Sequence, residues 1–359
     1  MNIAFVTSTK RWGGVKTWIL DFSEELIKIG HNVLIFARDE NFINRAEKNG
    51  LKTFKIDFGF DYNPKTIVRF MGYFKKYNVD IACLNVQKEL RSAGIAAKIM
   101  KIPVVHRVGL ASDIVDKIDF KIANKFLSDK ILVPCETMKT ELLEKHKFLE
   151  EKDISVIYNG KNILSENAGQ ILHKPVKFVI TSKVEKSKGH DYLAKVLLKL
   201  KHKGLSFHFD IFGEGNLSEW FEDFIKKNKL DDNVQIKGFE SDVRHLLPKY
   251  DFGLLTSFSE GFPNVILEYM SAGLPVISSN VSGVAEIVED DFNGFLFMAG
   301  DEDKLERLFK KAISMNTVTY KSMSLNALNT MSKRFNLEDN ALSLAGFFEN
   351  VKKTKNIQL

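Results

Sequence analysis

Short apolar runs recur along this chain with helical stretches between them, and that alternation narrows the fold more than any other feature. Residues 3–6, Ile-Ala-Phe-Val, form the first such run. The loop 7–14 follows, then apolar residues at helical spacing over 15–29, ended by Gly30. Residues 31–36 are the second strand, and more strands are predicted near 52–56, 81–84, 104–105 and 130–133, with 154–160 closing the first half. Residues 161–174 show little periodicity and read as a linker. A second series starts at 176–180 and continues at 207–212, 234–236, 252–255 and 275–278, and the chain beyond Asp301 is helical in pattern. Strands separated by helices argue for βαβ units and an α/β fold, with parallel sheets covered on both faces. There is no internal repeat or low-complexity tract.

At 359 residues the chain exceeds one typical domain. Its 44% hydrophobic and 27% charged residues are ordinary for a globular protein. No apolar run approaches the roughly 20 residues that span a bilayer. The first strand begins at once, with no basic leader, and only Cys83 and Cys135 occur, with no metal-pair spacing. The expectation is a reduced, cytoplasmic protein with both thiols in the core. The net charge of +6 is uneven: residues 1–165 hold 27 Lys+Arg against 20 Asp+Glu, the remainder 25 against 26. A basic first half suits an anionic membrane surface or acidic acceptor, or is simply a solvated lysine-rich face. The basic residues are scattered and no motif accompanies them, so nucleic acid is not an expected partner.

The stretch from Ser257 to Glu268 carries the chemistry. It leads from the apolar run 252–255 into a helical pattern ending at Gly273, so Glu260 falls in a strand-to-helix turn and Glu268 inside the helix. The amides of Gly261, Phe262, Pro263 (which lacks an N–H), Asn264 and Val265 then surround a helix N-terminus, which favours a phosphate. Two carboxylates and an anion site match the hydroxyls and diphosphate of a nucleotide sugar. Taken alone, two surface acids around an ordinary turn explain the stretch equally well. Its neighbours extend the pattern: the stretch resembles the Glu-x7-Glu motif of retaining GT-B glycosyltransferases, glycosyltransferase family four, through Gly273-Leu274-Pro275-Val276-Ile277-Ser278 and Gly283-Val284-Ala285-Glu286-Ile287-Val288.

The resemblance implies two Rossmann-like domains with sheets facing across a cleft: an acceptor domain over 1–165, a donor domain over 166–336, and a last helix, 337–359, returning to the first domain. It implies roles as well. Ser182-Lys183 and Lys188-Gly189 stand where the family has Gly-Arg and Lys-Gly around the diphosphate, so Lys183 and Lys188 are expected there; lysine keeps the charge but loses the arginine fork. Lys186 reads as a surface residue. Gly213 and the pair Gly238-Phe239 resemble turns beside the nucleotide, or are structural turns. Gly13-Gly14 resembles the glycine loop facing the donor phosphates, or is a tight turn; it lacks the dinucleotide pattern, so no nicotinamide cofactor is expected. Lys16 stands where the family often has an acid and is expected on the acceptor side. His106 matches a histidine near the reacting sugar and acceptor, or is a satisfied polar residue of the core, and Arg107 and Arg91 could bind an anionic acceptor, with salt bridging the plainer account of Arg91.

No Gly-x-Ser-x-Gly elbow or His-Glu-x-x-His pattern occurs. Asp301-Glu302-Asp303 reads as a helix cap rather than a metal ligand set. The resemblance implies a retaining transferase, and with no metal-ligand pattern in the sequence it is expected to work without a metal or cofactor. Its expected partners are a nucleotide diphosphate sugar donor and a glycan or glycolipid acceptor of the cell envelope. Glu260, Lys183, Lys188 and His106 form the expected catalytic group. A nucleotide-sugar epimerase or hydrolase on the same fold, and a non-catalytic nucleotide-sugar-binding partner, are the alternatives.

Overall fold

The structure, a computed structural model, describes residues 1–10, 12–115, 117–164, 172–240 and 242–357. The expected boundary at 165/166 and much of the expected linker lie outside the described residues. The chain forms two compact units: Met1–Asn159 with Leu337–Leu359, and Gly160–Asn336.

The first unit is built on a seven-stranded parallel sheet in the order β3-β2-β1-β4-β5-β6-β7. Its strands are β1 (Asn2–Thr7), β2 (Asn32–Ala37), β3 (Lys52–Lys55), β4 (Ile81–Leu84), β5 (Val104–Arg107), β6 (Lys130–Val133) and β7 (Ile154–Val156). The period-two alternation of side chains sorts them into two cores. Ile3, Phe5, Val33, Ile35, Ile81 and Cys83 face one side; Ala4, Val6, Leu34, Phe36, Ala82 and Leu84 face the other. Both faces are covered, which is why these strands are continuous apolar runs. On the first face the helix Gly14–Lys28 packs with the final helix Leu337–Ile357, which contributes Leu337, Ala341, Leu344 and Phe348.

The second unit has a six-stranded parallel sheet in the order β10-β9-β8-β11-β12-β13. Its strands are β8 (Val176–Thr181), β9 (Phe207–Phe212), β10 (Val234–Gly238), β11 (Phe252–Leu255), β12 (Val276–Ser279) and β13 (Gly294–Phe297). One core gathers Phe178, Phe209, Phe252, Phe295 and Phe309 around the middle of this sheet. The strand β13 pairs in parallel with β12 and was not expected from sequence. Two other details differ: His106 and Arg107 are the last residues of β5 rather than following it, and β7 stops at Val156. Asp301 does cap a helix, Glu302–Ser314, accepting from the Lys304 amide at 2.8 Å.

Candidate functional site

In an open parallel sheet, ligands bind beyond the carboxyl ends of the strands where the strand order reverses. In the second unit that place lies between β8 and β11. The loops leaving these two strands are fastened together. The Thr256 hydroxyl donates to the Lys188 carbonyl at 2.6 Å, the Phe258 amide donates to the Ser187 carbonyl at 3.0 Å, and the Tyr192 hydroxyl donates to the Thr256 carbonyl. Gly189 makes this possible: its φ is +74°, and a Cβ there would strike the Thr256 carbonyl and the Tyr192 ring.

The fastening sets Lys188 beside Glu260, with Nζ 2.7 Å from Oε1. The Ser257 hydroxyl donates to the same oxygen at 2.6 Å. Lys188 and Glu260 both keep part of their side chains exposed, 26% and 17%, so a ligand can reach them. After Glu260 the chain enters the helix Asn264–Ser271, whose N-cap is Pro263 and supplies no side-chain bond to the first turn. Gly261, Phe262 and Pro263 are buried, and the Phe262 ring packs on Phe335 at 5.7 Å. The Phe262 side chain therefore belongs to the core, and this stretch offers a ligand its backbone. Asn264 and Val265 are half-buried.

Glu268 lies within the helix, 3.3 Å from Nζ of Lys161, whose side chain is 2% exposed. Sequence reasoning missed Lys161; a single lysine in a stretch without periodicity carries no signal of a buried ion pair. The neighbouring Tyr269 hydroxyl accepts from the Thr181 amide at 2.7 Å and donates to the Thr181 hydroxyl, tying the helix to the end of β8.

Lys183 is exposed just beyond β8. The turn that carries it rests on Gly213, whose φ is +142° and whose missing Cβ leaves room for the Ser182 carbonyl. The Gly213 amide donates to the Gly238 carbonyl at 2.8 Å. His190 Nε2 is 2.9 Å from the Ser182 hydroxyl, and burial lowers the imidazole's pKa to about 4. Phe239, next after β10, projects its ring at 63% exposure.

The first unit has its own reversal, between β1 and β4. Beyond β1, Gly13 and Gly14 are exposed, and nothing lies within 4 Å of where a Gly13 Cβ would stand. Gly13 is extended, with φ of 176°, so neither strain nor crowding demands glycine there. Glu89, which sequence reasoning passed over, is fully buried and accepts the amides of Ser8 at 2.5 Å, Asn85 at 2.5 Å and Val86 at 3.1 Å. It thus braces the loops after β1 and β4 together. Burial raises its carboxyl to about 7 against the pull of those amides.

None of the four side chains of the expected acceptor group is exposed. Lys16 is completely buried, its ammonium 2.8 Å from Asp39 and 3.3 Å from the Lys10 carbonyl. It holds the loop after β1 in place. Arg91 is spent on two carboxylates, Asp61 and Asp119, each at 2.6 Å. His106 is fully buried at the end of β5; Nδ1 is 2.7 Å from the Asn124 side-chain oxygen, and burial lowers its pKa to about 4. Arg107 stacks on Trp18 at 4.3 Å and donates to the Asn159 side-chain oxygen at 3.4 Å, with its pKa lowered to about 10 by burial.

A groove lined by Asn2, His31, Lys52 and Tyr77 lies at the amino ends of β1–β3, away from these loops. Among the described residues no three His, Cys, Asp or Glu side chains form a group that could hold a metal ion. Among the described residues no helix is long and apolar enough to cross a membrane.

Comparison with known proteins fits the two-unit division. The family model "Glycosyltransferase Family 4" matches residues 12–163, and "Glycosyl transferases group 1" matches 164–330. The chain is 31% identical over 142 residues to the amylovoran biosynthesis glycosyltransferase AmsK of Erwinia amylovora, covering 37% of this chain and 35% of the relative. It is 26% identical over 296 residues to the UDP-Gal:alpha-D-GlcNAc-diphosphoundecaprenol alpha-1,3-galactosyltransferase of Escherichia coli, covering 76% of each. The chain spans from 35% to 60% of the length of the first curated relatives it matches. In fold it is similar to Anabaena Alr3699/HepE solved in complex with UDP, with a TM-score of 0.82 and 21% identity over 98% of this chain and 100% of that one. A glycosyltransferase family model thus matches each half of the chain, and the two-sheet fold is shared with HepE.

Proposed function

We propose that this chain transfers a sugar from a nucleotide diphosphate sugar to an acceptor hydroxyl with retention at the anomeric carbon, without a divalent metal, in building a cell-envelope polysaccharide or lipopolysaccharide. The observation that carries this reading is the cluster at the β8/β11 reversal. Lys188 paired with Glu260, Glu268 paired with Lys161, and a helix start without a side-chain cap surround one place. In this reading Lys188 and Lys183 hold the diphosphate, Glu260 the sugar hydroxyls and Glu268 the ribose. The backbone from Gly261 to Val265 adds donors near the helix terminus, and Phe239, Gly238 and Gly213 border the base.

The reaction follows from these roles. The bond from the anomeric carbon to the β-phosphate oxygen breaks, and negative charge grows on the leaving diphosphate. Fixed cations stabilise that charge more in the transition state than in the ground state. The acceptor oxygen attacks the same face of the sugar, and its proton passes to the departing phosphate oxygen. Positioning supplies much of the remaining effect. His106, neutral at pH 7 because burial lowers its pKa to about 4, and Arg107 are assigned to the acceptor side at the end of β5, while Lys16 and Arg91, each held in ion pairs, fix neighbouring loops.

Relatives support the substrate classes. HepE has been solved with UDP-glucose, and the Escherichia coli relative is named for a diphosphoundecaprenol-linked acceptor. The test is a thermal-shift panel of nucleotide diphosphate sugars, since a ligand at 100 times its Kd stabilises by about 2.7 kcal/mol. The stabilising donor is then supplied with polyprenyl-diphosphate sugars, and the anomeric configuration of the product is read by NMR. A shift with one donor class and a retained configuration are expected. No shift with any donor, or an inverted product, contradicts the reading.

A further inference from the structure

The helix Ile118–Leu127 has two apolar faces, and only one is used inside the protein. Ala123 and Leu127 turn inward, and Asn124 on the same side holds His106. On the outer side Ile118, Ile122 and Phe126 are 77%, 52% and 58% exposed. They are four residues apart and so form one stripe. Lys121 and Lys125 sit three and seven residues after Ile118, beside that stripe: Lys125 is exposed and near Glu150, and Lys121 is half-buried with its ammonium 6.0 Å over the Phe148 ring. From 117 to 130 there are four lysines against two aspartates, and both aspartates are paired internally: Asp119 with Arg91, and Asp129 with Lys98 and Lys355.

Arg91 joins a second segment to this face. It bonds Asp61 as well as Asp119, both at 2.6 Å, and its guanidinium lies 4.9 Å from the Phe120 ring. The loop held by Asp61 carries Phe60 and Tyr62, which are 68% and 50% exposed. Several large apolar side chains lined up beside lysines are more than scattered surface hydrophobes.

We propose that the outer face of the helix Ile118–Leu127, with the loop carrying Phe60 and Tyr62, docks on an anionic lipid bilayer. The charge decides the occupant. The cores of protein–protein interfaces are depleted in lysine. An in-plane membrane helix is enriched in it, its apolar stripe entering the headgroup boundary while the lysine ammoniums stay with the phosphates. Docking here deepens the reading of a lipid-linked acceptor, because the inner side of the same helix holds His106 through Asn124.

The experiment is flotation of the full chain with vesicles of phosphatidylcholine alone and of phosphatidylcholine with phosphatidylglycerol. The wild type binds the anionic vesicles, and Lys121→Glu/Lys125→Glu weakens binding on the order of twentyfold or more, each lysine counting about fivefold near an anionic surface. Ile122→Ser/Phe126→Ser weakens it at least tenfold by the same measure of apolar insertion. Val318→Ser, at an 80% exposed position in the second unit, changes nothing. No vesicle binding by the wild type overturns the proposal, as does unchanged binding by the two double variants. A concentration-dependent dimer that Ile122→Ser/Phe126→Ser dissociates, without vesicle binding, assigns the face to a second copy and equally overturns it. Thermal shift by nucleotide diphosphate sugars is followed on the same variants. If it persists while flotation is lost, docking and donor binding are separate facts; if no protein shows it while flotation behaves as stated, the transferase reading fails and the docking face stands.

Discussion

Lys188 and Glu260 form a pair before any ligand arrives, and that pair defines what a donor must do on entering. The 2.7 Å contact keeps each charge from being stranded, and on the proposed reading an incoming diphosphate draws the ammonium toward itself. Lys188→Ala and Lys183→Ala are each expected to lower turnover by on the order of 10²–10³ while leaving thermal unfolding nearly unchanged, because both side chains serve charge that grows at the leaving group. Wild-type turnover in a folded double variant would remove them from the mechanism. His106 yields a pH prediction. Burial lowers its pKa from 6.5 to about 4, so between those values the unfolded chain binds more protons than the folded one. Stability therefore falls as pH drops from 6.5 toward 4, by up to about 3 kcal/mol for this group. His190 has the same sign in the second unit. Glu89, raised to about 7, contributes a slope of opposite sign above pH 4.5, so the histidine effect is read as the difference between proteins at each pH. Denaturant titrations from pH 7 to 4 should show a shallower acid decline in His106→Gln than in the wild type; parallel declines would mean the imidazole is not buried neutral.

Among the elements, the loop after β8 depends most on one residue. Gly189→Ala would place a Cβ against the Thr256 carbonyl at a positive φ, so we expect a loss of about 1–3 kcal/mol in stability together with weakened donor binding. Stability and donor affinity equal to the wild type in this variant would show that the two loops are not fastened as described. This turn was legible in sequence because Lys188-Gly189 and the Glu260–Glu268 spacing are local patterns. The strands were legible for the same reason: β1, β2 and β8 to β12 are apolar runs bounded by helical stretches. The strand β13 was not, since Gly294-Phe295-Leu296-Phe297 opens on glycine and gains its place by pairing with β12. Lys161, Glu89 and the burial of Lys16 were hidden because each depends on a partner distant in sequence: Glu268, the Ser8 amide and Asp39. An exposed and a buried lysine read alike when the partner is unknown.

At the scale of the whole molecule, the proposed donor residues lie in the second unit and the excess of basic residues in the first 165. Transfer is expected to continue in excess chelator, because Lys183 and Lys188 supply the positive charge at the leaving group. Abolition by chelator with specific recovery on manganese or magnesium would contradict that. The claim on which the rest depends is that the β8/β11 reversal is the donor site. It is tested most directly by a crystal structure with the nucleoside diphosphate that the thermal-shift panel selects. The account predicts the diphosphate at the start of the helix Asn264–Ser271, within about 3 Å of the Lys188 ammonium, a charge-assisted hydrogen-bond distance, with the ribose hydroxyls on Glu268. A nucleotide bound elsewhere, with Lys188 still on Glu260 and Glu268 still on Lys161, would contradict it.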